Sequence, residues 1–314
     1  MMLPKFSYCS PETLREAFDA FQEARQDSVY MSGGTDLVPR LKLRLEKPSL
    51  VIDIKRIANL KGVEEDADTL KIGAMESIFD LKNNPLIKKH CPALQASLES
   101  TSCDTLQIKG TIGGNLLQNT RCLFYNQSEF WRKSRGLCLK MGGESCNAVP
   151  GAKKCFANYC SDNAAALCTV NAKVKLEGIA GERVVPLPKI FSNNAAKPFR
   201  LEPGEILTEI IVPKQKSRGG YDKLRLRGSI DYPLLGIAFS IVDGAGTLAI
   251  SASGPAPKVF ELKNLSEAAL EQVVQKAVQE TYLAANTVLN PDYRKRMIGV
   301  LSKRLINKVA EVGL

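Results

Sequence analysis

Histidine and tryptophan are almost missing from this chain, with one of each, His90 and Trp131, in 314 residues. A single imidazole cannot furnish a catalytic histidine pair, a facial triad or a Cys/His zinc finger, so any metal chemistry must be thiolate chemistry. Long apolar windows are absent too, and Met1 to Ser10 has no basic start followed by an apolar stretch. No membrane span and no signal peptide are therefore expected, which points to a cytoplasmic, reducing location. The dinucleotide fingerprint GxGxxG, the phosphate loop GxxxxGK[ST] and any CxxC pair are also lacking. What is present is ordinary for a globular protein: 44% apolar and 24% charged residues, in a chain of 34.3 kDa. That composition excludes global disorder and leaves room for about two or three domains. The net charge of +10 fits nucleic acid, an acidic partner or a solvated basic surface. Nine cysteines in a reducing compartment are better explained by buried thiols plus metal ligands than by disulfides.

The order of elements predicts an α+β fold. Ser10, Pro11 and Glu12 read as N-cap, N1 proline and first-turn acid of a helix whose Leu14, Ala17, Phe18 and Phe21 share one face. Strand candidates at 28–31 and 50–54 make roughly the first 55 residues a small βαβ-type unit with a glycine turn. A strand near 70–74 and helices near 78–82 and after Pro92 follow. From Arg121 to Cys155 periodicity disappears, leaving a long loop with four cysteines, a length uncommon in loops without a function. Strands at 172–176 and 206–212 come next, then the polar stretch 214–220, read as a boundary. A hairpin over 234–253 and two helices near 266–284 and 292–312 close the chain.

Two glycine pairs are the first candidates for chemistry: Met31-Ser32-Gly33-Gly34-Thr35-Asp36-Leu37 and Thr111-Ile112-Gly113-Gly114-Asn115-Leu116. Glycines at strand ends let backbone N–H groups approach a phosphate, and Thr35, Thr111 and Asn115 add side-chain donors. Taken singly, each pair is equally compatible with a plain tight turn.

Together with Ile72-Gly73-Ala74, Ser161-Asp162, Glu205 to Ile210, and Lys223 with Arg227, these segments resemble the flavoprotein subunit of the molybdenum hydroxylases, the xanthine dehydrogenase and carbon monoxide dehydrogenase family. The resemblance runs in order across almost the whole chain. It implies a two-subdomain FAD-binding fold with boundaries at 1–56 and 57–216, followed by a C-terminal α/β domain at 217–314 that pairs an antiparallel sheet with helices. It further implies FAD held by Tyr30, Met31, Ser32, Gly33, Gly34, Thr35, Asp36, Leu37, Thr101, Gly110, Thr111, Gly113, Gly114 and Asn115. Asp162, Leu207 and Lys223 would contact the adenine side or line the flavin, and no substrate chemistry would reside on the chain.

In most such flavin subunits the second glycine turn is followed within a few residues by the segment matching Ser161-Asp162, whereas here Asn115 and Asp162 stand 47 positions apart. The extra material, about 119–160, carries Cys122, Cys138, Cys146 and Cys155 with gaps of 15, 7 and 8 residues. By spacing alone the set is open between an iron–sulfur cluster, zinc and buried free thiols. Zinc usually takes paired ligands, whereas each corner of a cubane can be reached by a separate cysteine. The 4-hydroxybenzoyl-CoA reductase branch is similar in having such an insertion, and that resemblance implies a [4Fe-4S] cluster on these four cysteines. Cys9, Cys91, Cys103, Cys160 and Cys168 match no ligand position.

Seven basic residues against two acidic ones lie between Arg121 and Cys155. Such an excess suits an anionic cluster, or simply a solvated lysine-rich loop. The expectation is an electron-transfer subunit working with a molybdenum-cofactor subunit and a [2Fe-2S] subunit, as a dimer of heterotrimers. It would draw on reduced ferredoxin to dehydroxylate 4-hydroxybenzoyl-CoA. The alternative is a flavin subunit of an oxidising molybdenum hydroxylase. A four-cysteine zinc protein binding nucleic acid is disfavoured, because CxxC pairs and interleaved aromatics are lacking and the glycine turns would go unexplained.

Overall fold

The computed structural model describes residues 2–24 and 27–311. Strands β1 (Ser7–Cys9), β2 (Ser28–Met31) and β3 (Leu50–Asp53) form a parallel sheet in the order β1-β3-β2, with helices α1 (Leu14–Glu23) and α2 (Leu37–Lys42) as crossovers. Helix α1 begins later than the Ser10-Pro11-Glu12 signal suggests. Thr13 is the N-cap, its Oγ1 accepting from Glu16 N at 3.2 Å, and Glu16 reaches back to Glu12 N at 2.8 Å. A Thr-x-x-Glu box satisfies two orphan N–H groups at once and outcompetes the serine three residues earlier.

A second, antiparallel sheet runs β4-β5-β8-β6-β7. It is built from β4 (Val63–Glu65), β5 (Thr69–Gly73), β6 (Lys173–Gly178), β7 (Gly181–Pro186) and β8 (Ile206–Pro213). Between β5 and β6 lie α3 (Ile78–Asn83), α4 (Pro85–His90), α5 (Pro92–Ser100), α6 (Asp104–Gln107), α7 (Ile112–Leu116), α8 (Glu129–Arg135) and α9 (Asp162–Cys168). The lone histidine ends α4 beside Glu65, with Nε2 and Oε1 at 3.0 Å, as part of the surface of this sheet.

The stretch 214–220, read as a boundary from its polar composition, runs into strand β9 (Ser217–Leu224), which is paired along its length with β10 (Leu235–Val242) and opens the third sheet. Its glycines are there for packing. A methyl group on Gly219 would meet the Ala93 side chain of α5 at 3.0 Å, and one on Gly220 the Leu305 side chain at 3.0 Å. With β11 (Ala245–Ser251) and β12 (Lys258–Leu262) the order is β12-β11-β10-β9, backed by α10 (Glu267–Glu280) and α11 (Pro291–Glu311). Strand β10 is buried on both faces. Leu235, Ile237, Phe239 and Ile241 face the core with Ile298, Leu301 and Leu305, while Ala238 belongs to the larger core with Leu94 and Ala165. That double burial explains its unbroken apolar run. Among the described residues no helix is long and apolar enough to cross a membrane.

Candidate functional site

Two cavities share Thr35, Asp36 and Thr111 in their walls and so form one elongated cleft between the first two sheets. The glycine turns lie back to back at its waist. A methyl group on Gly33 would sit 1.7 Å from the Lys109 carbonyl oxygen, and one on Gly114 would sit 2.6 Å from Ser32 Oγ. Part of the glycine requirement is therefore met by turn-to-turn contact. The second pair is not a strand end as expected: Thr111 caps α7, its Oγ1 accepting from Gly114 N at 3.1 Å. The Gly113 N–H goes to the Ala74 carbonyl.

The first turn is differently placed. Gly34 has φ +72°, and among the described residues nothing accepts from the N–H groups of Gly33, Gly34, Thr35 or Asp36. Free, convergent N–H donors beside a cavity are what a phosphate needs. Arg40 lines the same cavity, ion-paired to Asp36 at 3.1 Å. Tyr30 lines it from β2, stacked on Phe21 at 5.4 Å with its hydroxyl donating to the Gly204 carbonyl. Ser32, Leu37, Gly113, Gly114 and Leu207 complete the expected residues at this end, alongside Glu205 and Ile206 from the segment 205–210 and Ile54 and Met75, which carry no motif and were not anticipated.

At the other end the walls are Thr101, Gly110, Asn115 and Asp162 from the expected set, with Ile78, Leu106, Gln107, Gln118, Cys160 and Tyr232 besides. Asn115 Oδ1 accepts from Ser161 Oγ at 2.5 Å and from Asn163 Nδ2 at 3.0 Å, tying α7 to α9 across the long insertion. Asp162 is buried, which pushes its carboxyl up. Lys223 Nζ at 3.1 Å and the Tyr221 hydroxyl at 2.7 Å hold it the other way. Lys223 itself stands behind Asp162 and lines neither cavity. Met31 and Gly33 also stay out of the lining: Met31 packs against Leu37, Leu41 and Val51, and Gly33 faces Lys109.

The four insertion cysteines, Cys122, Cys138, Cys146 and Cys155, line a single small cavity with Tyr125, Leu139, Lys140 and Ala148. Residues 121 and 158 bring its ends together by exchanging backbone hydrogen bonds of 2.6 and 2.8 Å. The 138–152 loops fold on themselves through bonds such as Leu139 N to Ser145 O at 2.9 Å and Cys146 N to Ala152 O at 3.0 Å. Burial pushes the Cys122 thiol to about 11 and raises Cys155. Among the described residues no three of His, Cys, Asp and Glu are arranged to grip one metal ion. Cys160, five residues past Cys155, lies in the first cleft instead, buried to about 12.

The cavity and the cleft are linked along the chain by Arg121, whose side chain contacts residues of the cleft wall. Next to Cys122, Arg121 donates to Asp36 and to the Tyr232 hydroxyl, with its guanidinium 4.1 Å from the Tyr232 ring centre. Of the seven basic residues in the insertion only Lys140 lines the cavity. Arg132 is buried, but its guanidinium donates to the carbonyls of Leu43, Arg44 and Gln127, pinning α8 onto the end of α2. Trp131 packs against Phe124 at 6.4 Å.

Comparison with known proteins agrees with this geometry. The chain is 29% identical to the nicotinate dehydrogenase FAD-subunit of Eubacterium barkeri over 77% of its own length and 70% of that protein's. It is 27% identical to the carbon monoxide dehydrogenase medium chain of Hydrogenophaga pseudoflava over 98% of each. A solved structure of carbon monoxide dehydrogenase from Hydrogenophaga pseudoflava superposes with a TM-score of 0.80, at 24% identity and 99% coverage of both chains. The model of the FAD binding domain in molybdopterin dehydrogenase matches residues 4–215, two thirds of the sequence, so the chain belongs to that FAD-binding family.

Proposed function

We propose that this chain is the electron-transferring flavin and iron–sulfur subunit of a molybdenum enzyme, with FAD in the elongated cleft and a [4Fe-4S] cluster on Cys122, Cys138, Cys146 and Cys155. The observation that carries the reading is the convergence of four cysteines, spread over 34 positions without a CxxC pair, on one cavity beside the flavin cleft. Thiols set around a cavity rather than about a point suit a group with several metal corners, each taking one thiolate. The soft, all-sulfur donor set favours iron–sulfur or zinc over hard cations. When bound, FAD supplies exchange of electrons singly or in pairs and the cluster exchange one at a time.

The chain's own residues would do the rest. The free N–H groups of Gly34 to Asp36 and the Arg40 side chain would bind phosphate. Asp162, held by Lys223 and Tyr221, presents one carboxylate edge to the flavin end. The apolar wall of Tyr125, Leu139 and Ala148 excludes water from the cysteines. Substrate chemistry would belong to a molybdenum-cofactor subunit, reached through a [2Fe-2S] subunit. The relatives, two of which are called a medium chain and an FAD-subunit, make such an assembly the natural context. Their names are those of dehydrogenases, and with the aldehyde oxidoreductase of Escherichia coli (28% identical over 97% of this chain) they favour an oxidising complex over the reductive one expected from the insertion.

One observation favours the reductive reading. The insertion with its four cysteines is the feature by which the chain resembles 4-hydroxybenzoyl-CoA reductase, and such a subunit would take electrons inward from ferredoxin. The visible spectrum and iron content of the purified chain test the cluster. Cys138→Ser should lose the iron and its broad absorbance while keeping FAD, and retention of four irons per chain would refute the ligand set. Assaying the assembled complex with 4-hydroxybenzoyl-CoA and reduced ferredoxin, against oxidation of aromatic and aldehyde substrates, decides the direction.

A further inference from the structure

Lys140 is the one cation built into the wall of the cysteine cavity. Its Nζ donates to Asn119 Oδ1 and Thr120 Oγ1, both at 2.6 Å, and lies 4.2 Å from the Tyr125 ring centre. Thr120 is fully buried and Tyr125 nearly so, so the ammonium end points into the protein. Among the described residues it has no carboxylate partner, whereas the buried Lys223 pairs with Asp162. An inward-facing charge without a counter-ion is costly, and neutral acceptors compensate it only in part. The groups that share its cavity and can carry negative charge as thiolates are Cys122, Cys138, Cys146 and Cys155. The other basic residues of the insertion are engaged elsewhere: Lys133, Arg135, Lys153 and Lys154 are exposed, Arg132 donates to backbone carbonyls, and Arg121 pairs with Asp36.

We infer that Lys140 is a positioning residue for charge: it is the fixed counter-cation of the thiolate-bound group in this cavity and selectively favours its reduced form over that of the flavin. The inference rests on the iron–sulfur reading above. Adding one electron to such a group adds one negative charge inside the cavity, and an ammonium held by Asn119, Thr120 and Tyr125 stabilises that charge with no reorganisation. Lys140 lines the cysteine cavity and not the flavin cleft, where Asp36 in the wall is ion-paired to Arg121 and Arg40.

The test is an EPR- and absorbance-monitored redox titration of the whole protein with its flavin. Three variants are compared with the parent: Lys140→Met, Lys140→Arg and Asn119→Asp. Lys140→Met should shift the oxidised-to-reduced ratio of the iron–sulfur signal about tenfold at fixed potential, which is about 59 mV downward for one electron. The flavin titration should not move, and Lys140→Arg should restore the parent value. Asn119→Asp leaves the lysine in place but gives it a carboxylate, and should shift the cluster the same way. An unmoved cluster potential in both charge-altering variants, with iron retained, would overturn the inference and leave Lys140 a packing residue. If Lys140→Met loses its iron, Asn119→Asp decides alone. Absence of iron in the parent protein would instead sink the iron–sulfur reading itself, and with it this role.

Discussion

Gly33 has no room for a methyl group, and the reason is the neighbouring turn rather than a ligand: the Lys109 carbonyl occupies the space. Gly33→Ala should force the two turns apart, with a stability loss of about 1–3 kcal/mol, the usual scale for overpacking. Because the same movement disperses the N–H groups of Gly34 to Asp36, the purified variant should also carry less flavin per chain than the parent by absorbance. Full flavin occupancy in a destabilised variant would mean that the cradle does not depend on the contact. Single residues were legible unevenly in the sequence. The glycines announced themselves as pairs, whereas the pairing of Lys223 with Asp162, which lines the cleft, appears only in the fold. A side chain's depth is set by the strand register of β9 against β10, which no local pattern reveals.

Helix α8 is the element whose sequence and structure diverge most usefully. Its run Arg132-Lys133-Ser134-Arg135 reads as one basic patch for an acidic redox partner such as ferredoxin, but the helix divides it. Lys133 and Arg135 are exposed beside Phe130, which is 82% exposed, while Arg132 is 3% exposed and locks the insertion to α2. Charge reversal at Lys133 and Arg135 should therefore slow reduction by ferredoxin and flatten its dependence on salt without loss of fold, because rim charges act mainly on association rate. Stopped-flow rates at two ionic strengths check this, and unchanged kinetics would count against docking there. Arg132→Glu should behave differently, destabilising the insertion itself. Periodicity cannot separate the two kinds of arginine, since a seven-residue helix exposes too few turns to define a face.

At the scale of the whole molecule, the C-terminal sheet and the insertion are joined by a buried polar network centred on Arg294, which is fully buried. Its guanidinium donates to the carbonyls of Leu234, Ala252 and Ala284, and to Asn286. Asn286 in turn exchanges side-chain hydrogen bonds with Asn158 at 3.0 Å, donates to the Phe156 carbonyl, and accepts from Leu123 N through its own carbonyl. The peptide segments beside Cys122 and Cys155 thus hang on the last domain. Arg294→Met should cost about 3 kcal/mol through carbonyls left unpaired, read by chemical denaturation. It should also raise the reactivity of the insertion cysteines toward a thiol reagent in the metal-free protein, and equal reactivity in both proteins would show the network to be local. The sequence by itself determined the α+β class, the two glycine turns, about half of the strands and helices, and the family. These depend on near-neighbour patterns: apolar spacing, caps, and short motifs in fixed order. Only the tertiary structure decided that β9 begins within the polar stretch after Pro213, and that Cys160 faces the cleft while four cysteines share a cavity. It alone decided, too, that of the seven cations of the insertion only Lys140 lines that cavity. Each of those outcomes is fixed by how separate segments pack together, and such contacts leave no periodic trace in the sequence.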